Sequence, residues 1–284
     1  MTVHARVVVA RQRLRDAGIS NDEADLDARL LAEHLLGWTT ERYFVDGGQD
    51  EPAGFADRYE AIVTRRAARE PYAYLVGHEE FWGLDFEVTP AVLIPRPETE
   101  LIVSVTLELF TDRDARFSAC DVGTGSGCIA VSIARERPNA AVTAIDISPS
   151  ALVVARRNAA RHLVSSRVHL RGGHLFDEVT ETFDLIVSNP PYVAERDRPT
   201  IQAEVGCYEP SEALFSGFDG LDTIRKLVDA APARLAPGGY LVFEFGFGQS
   251  DAIAALISHA RGLTTVGLRP DLQDIPRVAV ARRR

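Results

Sequence analysis

Apolar residues recur along this chain in two rhythms, separated by one short alternating stretch. Up to about residue 75 the spacing is helical. Val3 to Ala17 ends at Gly18, and Ser20-Asn21-Asp22 then offers caps for a helix that stops near Gly37. Leu26, Leu30, Leu31, Leu35 and Leu36 supply the expected apolar face of that helix. A further helix fits Phe55 to Glu70, ended by Pro71. "FWGLDFEV", Phe81 to Val88, alternates around Gly83 and predicts a short hairpin. From Leu101 the order becomes strand, helix, strand. Strands are expected at Phe117 to Val122, Ala141 to Ile145, Arg167 to Leu170, Phe183 to Val187 and Tyr240 to Phe245. Helices fill Cys128 to Arg137, Pro149 to His162, Leu221 to Leu235 and Gln249 to Ala260. Such alternation implies an α/β, doubly wound and mainly parallel sheet. Two short strands beyond Gly262, near Thr264 to Leu268 and Arg277 to Ala281, lack an intervening helix and fit an antiparallel edge.

These patterns divide the chain into a helical domain (residues 1–76), a hairpin linker (77–92) and an α/β domain (93–284). A composition of 46% hydrophobic and 25% charged residues is that of a globular chain, and no apolar run reaches the length of a membrane span. No secretory signal is evident at the start. Cys120, Cys128 and Cys207 form no metal-ligand or disulfide pattern, and the histidines are scattered singly. The expectation is a reducing cytoplasm and no metal. A net charge of −10 argues against a broad electrostatic grip on nucleic acid, so no direct nucleic-acid partner is expected. Arg282, Arg283 and Arg284 read as a solvated tail.

Two stretches carry candidate chemistry. "DVGTGSG", Asp121 to Gly127, lies between the first strand of the sheet and its helix, where glycines let the backbone approach a ligand. Its spacing is GxGxG rather than the dinucleotide GxGxxG, since Cys128 takes the third glycine's place. Asp146 ends the next strand about 20 residues on, where a carboxylate can hold two ribose hydroxyls. The plainer readings are an ordinary turn and a helix cap, although Ser148 can also cap that helix. With no phosphate-gripping lysine in the loop, an adenosine-containing ligand without pyrophosphate fits best, and S-adenosyl-L-methionine is the natural choice. The second stretch is "FDLIVSNPPY", Phe183 to Tyr192. Two prolines cannot continue a ladder, so the chain leaves the sheet at Asn189 and fixes an amide and an aromatic beyond a strand's carboxyl end.

In that order, the loop, the acid and the "NPPY" resemble amino-group methyltransferases. "EEFWGLDFEV" with "LIPRPETE", Glu209-Pro210, "GGYLVFEFG" and "DLQDIPRVAVAR" narrow the resemblance to the HemK/PrmC family, the release factor glutamine methyltransferases. It covers essentially the whole chain. The resemblance implies a Rossmann-like class I S-adenosylmethionine-dependent methyltransferase sheet with a small N-terminal helical domain for substrate recognition and a β-hairpin linker. It implies methyl transfer to the side-chain amide nitrogen of the glutamine in the Gly-Gly-Gln loop of class I peptide-chain release factors. Cofactor contacts would fall on Gly123, Thr124, Gly125, Ser126 and Gly127 for the methionine moiety and on Asp146 for the ribose, with Arg96, Thr99 and Asn189 alongside. Asn189, Pro190, Pro191 and Tyr192 would form the amide clamp, with Asn189, Pro190 and Tyr192 catalytic. One departure concerns the adenine, where the family commonly has an acid followed by an apolar or aromatic residue. Here His174 and Leu175 stand. Leu175 is expected to pack on the ring, while His174 either accepts from the exocyclic amine as a neutral imidazole or leaves that contact unmade.

The chemistry fits the clamp. An amide nitrogen is a weak nucleophile because its lone pair is delocalised, so two acceptors that strengthen as its N–H groups acidify favour the transition state. The side-chain oxygen of Asn189 and the carbonyl of Pro190 are those acceptors, and Tyr192 can lie over the planar amide. Two rival functions use the same residues: an adenine amino-methyltransferase acting on nucleic acid, and a catalytically idle, cofactor-binding adaptor of the translation machinery.

Overall fold

In the computed structural model, which describes residues 1–177 and 179–284, alternate residues of each inner strand enter opposite layers. A hairpin pairs β1 (His78–Phe81) with β2 (Leu84–Glu87). The sheet strands are β3 (Ser118–Val122), β4 (Ala141–Asp146), β5 (Val168–Gly172), β6 (Phe183–Ser188), β7 (Leu235–Glu244), β8 (Leu263–Pro270) and β9 (Pro276–Arg283). Among the described residues they form one seven-stranded sheet in the order β5-β4-β3-β6-β7-β9-β8. Ala119, Leu185, Val187, Val242, Val278 and Val280 join one core layer with helices Glu100–Leu109 and Cys128–Glu136. Cys120, Ile186, Leu241, Phe243, Ala279 and Ala281 join the other with helices Asp222–Ala230 and Ser250–His259. Both faces are buried, which is why these strands read as continuous apolar runs.

The expected α/β sheet is present, and its edge is antiparallel as expected: β9 runs against both β7 and β8. It lies between them, so the last strand of the chain is internal. Some boundaries differ. The hairpin begins at His78, three residues before the expected Phe81, and turns at Trp82 and Gly83. The helix expected over Leu221 to Leu235 ends at Ala230, because Pro232 removes an amide donor and a 3-10 turn, Ala231–Ala233, takes over. β7 starts at Leu235, and a register shift against β6 accommodates Pro237-Gly238-Gly239 before the ladder resumes at Tyr240. Helix Glu100–Leu109 was not expected. Its β-branched residues Ile102, Val103, Val105 and Thr106 are buried but weaken the helical signal.

The chain divides into two compact units, Met1–Gly77 with Gln202–Tyr208, and His78–Ile201 with Glu209–Arg284. In the first, Val3, Val7, Ala10 and Leu14 pack with Ala24, Ala28 and Leu31 and with Phe55, Tyr59 and Val63. Ser20 and Gly37 cap helix Asn21–Leu36 as expected. Its buried face is a correction to the leucine stripe: Ala24, Asp27, Ala28, Leu31 and Ala32 face inward, while Leu26 is exposed. The cause is polar. Arg66 is fully buried, and its guanidinium takes Asp27 at 2.6 Å, Glu23 at 2.7 Å and Glu204 at 3.0 Å. A buried guanidinium must be paired, and that demand turns the helix. Glu204, in the added segment, also binds Arg69 at 2.6 Å. Among the described residues no helix is long and apolar enough to cross a membrane.

Candidate active site

From β3 the chain winds to β4 and β5, then returns to β6 on the other side of β3. Strand order reverses there, and the carboxyl ends of β3 and β6 open onto a cavity of about 350 Å³. Gly123, Thr124, Gly125, Ser126, Asp146, His174, Leu175, Asn189, Pro190, Pro191 and Thr99 all line it. Gly127, Arg96 and Tyr192 stand outside the lining.

The glycine-rich loop is held from below. Gly123 and Thr124 N–H groups both donate to the Ile145 carbonyl, at 2.8 and 2.9 Å. Thr124 Oγ1 donates to Asp121 Oδ2 at 2.6 Å. Asp121 is fully buried, and burial pushes its pKa up to about 7, with the Thr124 hydrogen bond pulling the other way. Gly127 has φ +83°, and a Cβ there would lie 3.2 Å from that of Ala155, so glycine is needed for both reasons. Asn158, also buried, donates to the Ser126 carbonyl at 2.8 Å and to the Glu87 carbonyl at 3.0 Å, and accepts from Glu87 N–H at 2.8 Å. It fastens the hairpin to the loop. No sequence motif marked it.

Asp146 closes the loop's other side. Its Oδ2 accepts from Gly125 N–H at 2.8 Å and its Oδ1 from Ser148 N–H at 2.9 Å. Burial raises its pKa, and these two donors oppose the rise. Ser148 caps helix Pro149–Arg161 by accepting from Ala151 N–H, which leaves the Asp146 carboxylate on the cavity wall. Leu175 holds φ +52°, a left-handed conformation uncommon for a branched side chain. His174 beside it is exposed.

The opposite wall belongs to Asn189. Ser188 Oγ donates to the Val122 carbonyl at 2.7 Å, locking the ends of β6 and β3 together. Asn189 Nδ2 donates to Thr99 Oγ1 at 3.0 Å, and Thr99 Oγ1 donates to Glu244 Oε2 at 2.6 Å. The Tyr192 hydroxyl donates to Glu244 Oε1 at 3.0 Å. Gln249 Nε2 donates to the Tyr192 carbonyl at 3.0 Å, and its Oε1 accepts from Gly246 N–H at 2.8 Å. Asn189 Oδ1 is buried and, among the described residues, has no hydrogen-bond partner. Leaving such an oxygen unpaired costs about 1–3 kcal/mol. It fits a site whose remaining donor arrives with a ligand.

Sequence reasoning met Glu209 only within Glu209-Pro210 and Glu244 only within "GGYLVFEFG", and gave neither a role. Glu244 ends β7 and is 1% exposed, and burial raises its pKa against the Thr99 and Tyr192 hydrogen bonds. Glu209 is buried, accepts from Ile94 N–H at 3.0 Å and pairs with the Arg96 guanidinium. Arg96 is thereby engaged in holding the 93–100 segment. A carboxylate inside an apolar strand or just ahead of a proline was the available signal in both cases.

Two family models match: PrmC N-terminal domain over residues 8–77 and methyltransferase small domain over residues 100–206. The chain is 42% identical over 260 residues to a release factor glutamine methyltransferase of Koribacter versatilis, covering 91% of each. It is 44% identical over 271 residues to one of Cereibacter sphaeroides, covering 95% of this chain and 94% of that protein. Among solved structures, the ribosomal protein L11 methylase of Lactobacillus delbrueckii subsp. bulgaricus superimposes with a TM-score of 0.51 at 18% identity, over 69% of this chain and 84% of that one. A methyltransferase from Pyrococcus furiosus gives 0.50 at 22%, over 78% and 96%. At such identities the structural likeness speaks for the fold.

Proposed function

The chain belongs to the release factor glutamine methyltransferase family, and we propose that it methylates the side-chain amide nitrogen of the glutamine in the Gly-Gly-Gln loop of class I release factors, in the cytoplasm, with S-adenosyl-L-methionine as donor. The observation that carries this reading is the buried, unpartnered Oδ1 of Asn189, a residue that lines the cavity.

The residues fit that donor. The loop at Gly123–Ser126 would hold its methionine end, Asp146 would take its ribose hydroxyls, and Leu175 would pack on the adenine. His174, exposed on the same wall, would accept from the exocyclic amine when neutral. Thr99 and Asn189 border the reacting end, while Arg96 and Gly127 support the wall from behind. When bound, the donor supplies an electrophilic methyl group. The protein's own task is to hold the amide nitrogen and draw its lone pair out of conjugation. Asn189 Oδ1 accepts one amide N–H and the Pro190 carbonyl the other. Both bonds strengthen as the nitrogen becomes pyramidal and its protons acidify. Pro190 and Pro191 keep the acceptors on a stiff loop. Tyr192, tied down by its hydroxyl and carbonyl and standing outside the cavity lining, would act by fixing the end of that loop rather than by lying over the amide as the sequence suggested. The proton leaves after transfer, so no base is required in the clamp.

The N-terminal unit would read the release factor beyond the loop itself. Because Gln202–Tyr208 folds with that unit, truncating it would also strip this segment of its partners. The decisive experiment incubates the enzyme with a release factor and donor, then maps the product by mass spectrometry. One methyl on the glutamine of the Gly-Gly-Gln loop is expected. An unmodified glutamine would overturn the reading, and labelling of an oligonucleotide instead would favour the adenine amino-methyltransferase.

A further inference from the structure

We infer that Glu244 is a positioning residue for the transfer: acting through Thr99, its carboxyl oxygens dictate which end of the Asn189 amide faces the substrate. This rests on the function proposed above and deepens it.

The inference follows from donor and acceptor counting. A carboxylate has no proton to give, so both of its oxygens can only accept. Glu244 Oε2 therefore takes the Thr99 hydroxyl proton and Oε1 takes that of Tyr192. Having spent its one proton, Thr99 Oγ1 can only accept from Asn189, 3.0 Å away. Asn189 must then turn its NH₂ toward Thr99, and its carbonyl oxygen is left over. That oxygen is the buried, unpartnered atom. All three bonds donate toward Glu244, so residue 244, as the final acceptor, sets their direction. Reversed, Thr99 would donate to Asn189 and the amide would present N–H groups to a substrate that itself offers N–H. Two donors would meet, and the clamp would repel what it must hold.

A neutral group at 244 loses this control because it has one acceptor and one donor end. The phenol oxygen is a poorer acceptor than an aliphatic hydroxyl, since its lone pair is shared with the ring. A glutamine would accordingly direct its oxygen at Tyr192 and its NH₂ at Thr99, which is the reversed pattern. The same holds for a protonated Glu244. Burial raises its pKa above the usual glutamate range; Glu98 adds to the rise, and Arg277, Thr99 and Tyr192 oppose it. Because the ionised form is the competent one, transfer is lost as pH falls through that raised pKa.

The test is single-turnover methyl transfer to release factor across pH, with donor affinity measured by calorimetry on each folded variant. Glu244→Gln should slow transfer at neutral pH by about 10-fold or more, because Asn189 then turns N–H groups instead of its oxygen toward the substrate amide, while donor affinity stays within about threefold. The wild-type acidic limb should be missing from the variant. In a Thr99→Val background, Glu244→Gln should add no further loss, since its route to Asn189 is already cut. A wild-type rate for Glu244→Gln, or losses that multiply in the double variant, would overturn the inference. Should Glu244→Gln fail to fold, the limb must still be present in wild type and absent in Thr99→Val; any other pair of profiles overturns it too. If wild type itself leaves the glutamine unmethylated, the proposed function fails instead, and the two failures are distinct.

Discussion

Replacing Asn189 by alanine separates activity from stability. The variant removes the acceptor that meets the substrate amide. By analogy with loss of one preorganised partner in an oxyanion hole, inverted here from donor to acceptor, transfer should slow by about 10²–10³, or roughly 2.7–4 kcal/mol in the barrier. Stability should respond differently. The lost Nδ2 bond to Thr99 Oγ1 costs about 0.5–1.5 kcal/mol, but removing a buried oxygen without a partner returns about 1–3 kcal/mol. The two nearly cancel, so Asn189→Ala should melt at or slightly above the wild-type temperature. Single-turnover transfer to release factor, donor calorimetry and thermal unfolding on one preparation read all three quantities. Transfer at the wild-type rate would refute the clamp. A loss confined to donor affinity would make Asn189 a cofactor ligand only. A steep fall in melting temperature would show that Oδ1 is not a source of strain.

Further expectations follow from the loop and the substrate. Asp146→Ala should weaken donor binding by about 1.5–3 kcal/mol through lost charge-assisted hydrogen bonds, and unchanged affinity by calorimetry would remove that assignment. Gly127→Ala must place a Cβ 3.2 Å from that of Ala155 at φ +83°, so urea unfolding should show a loss of about 1–3 kcal/mol. Asp121 keeps its proton to about pH 7 in the fold but to only about pH 4 when unfolded, so the native state binds more protons in between. Its contribution is full below pH 4 and is lost as pH rises to 7; Asp121→Asn should flatten that slope in denaturation measured at pH 5 and pH 8. Finally, the intact enzyme should show a much higher kcat/KM on whole release factor than on a Gly-Gly-Gln peptide. Equal values would leave the N-terminal unit without a recognition role.

Local pattern alone determined a good deal of this protein. Alternating burial in Leu185-Ile186-Val187 and Leu241-Val242-Phe243 requires a sheet covered on both faces. The glycines at 123, 125 and 127 and the break at Pro190 are local backbone constraints, and the acid at 146 sits at a strand end whatever its role. They fixed the loop and the strand ends before any packing was known. What sequence could not show were partners chosen across the fold. Thr99 meets Glu244 from 145 residues away, and Ile94 meets Glu209 from 115. Asn158 joins Glu87 to Ser126, and Arg66 turns the leucine stripe of its neighbouring helix aside to reach Asp27. Periodicity records only whether a position faces a core. Which buried donor meets which acceptor depends on where distant chain ends converge, and at Asn189 that convergence leaves one oxygen free.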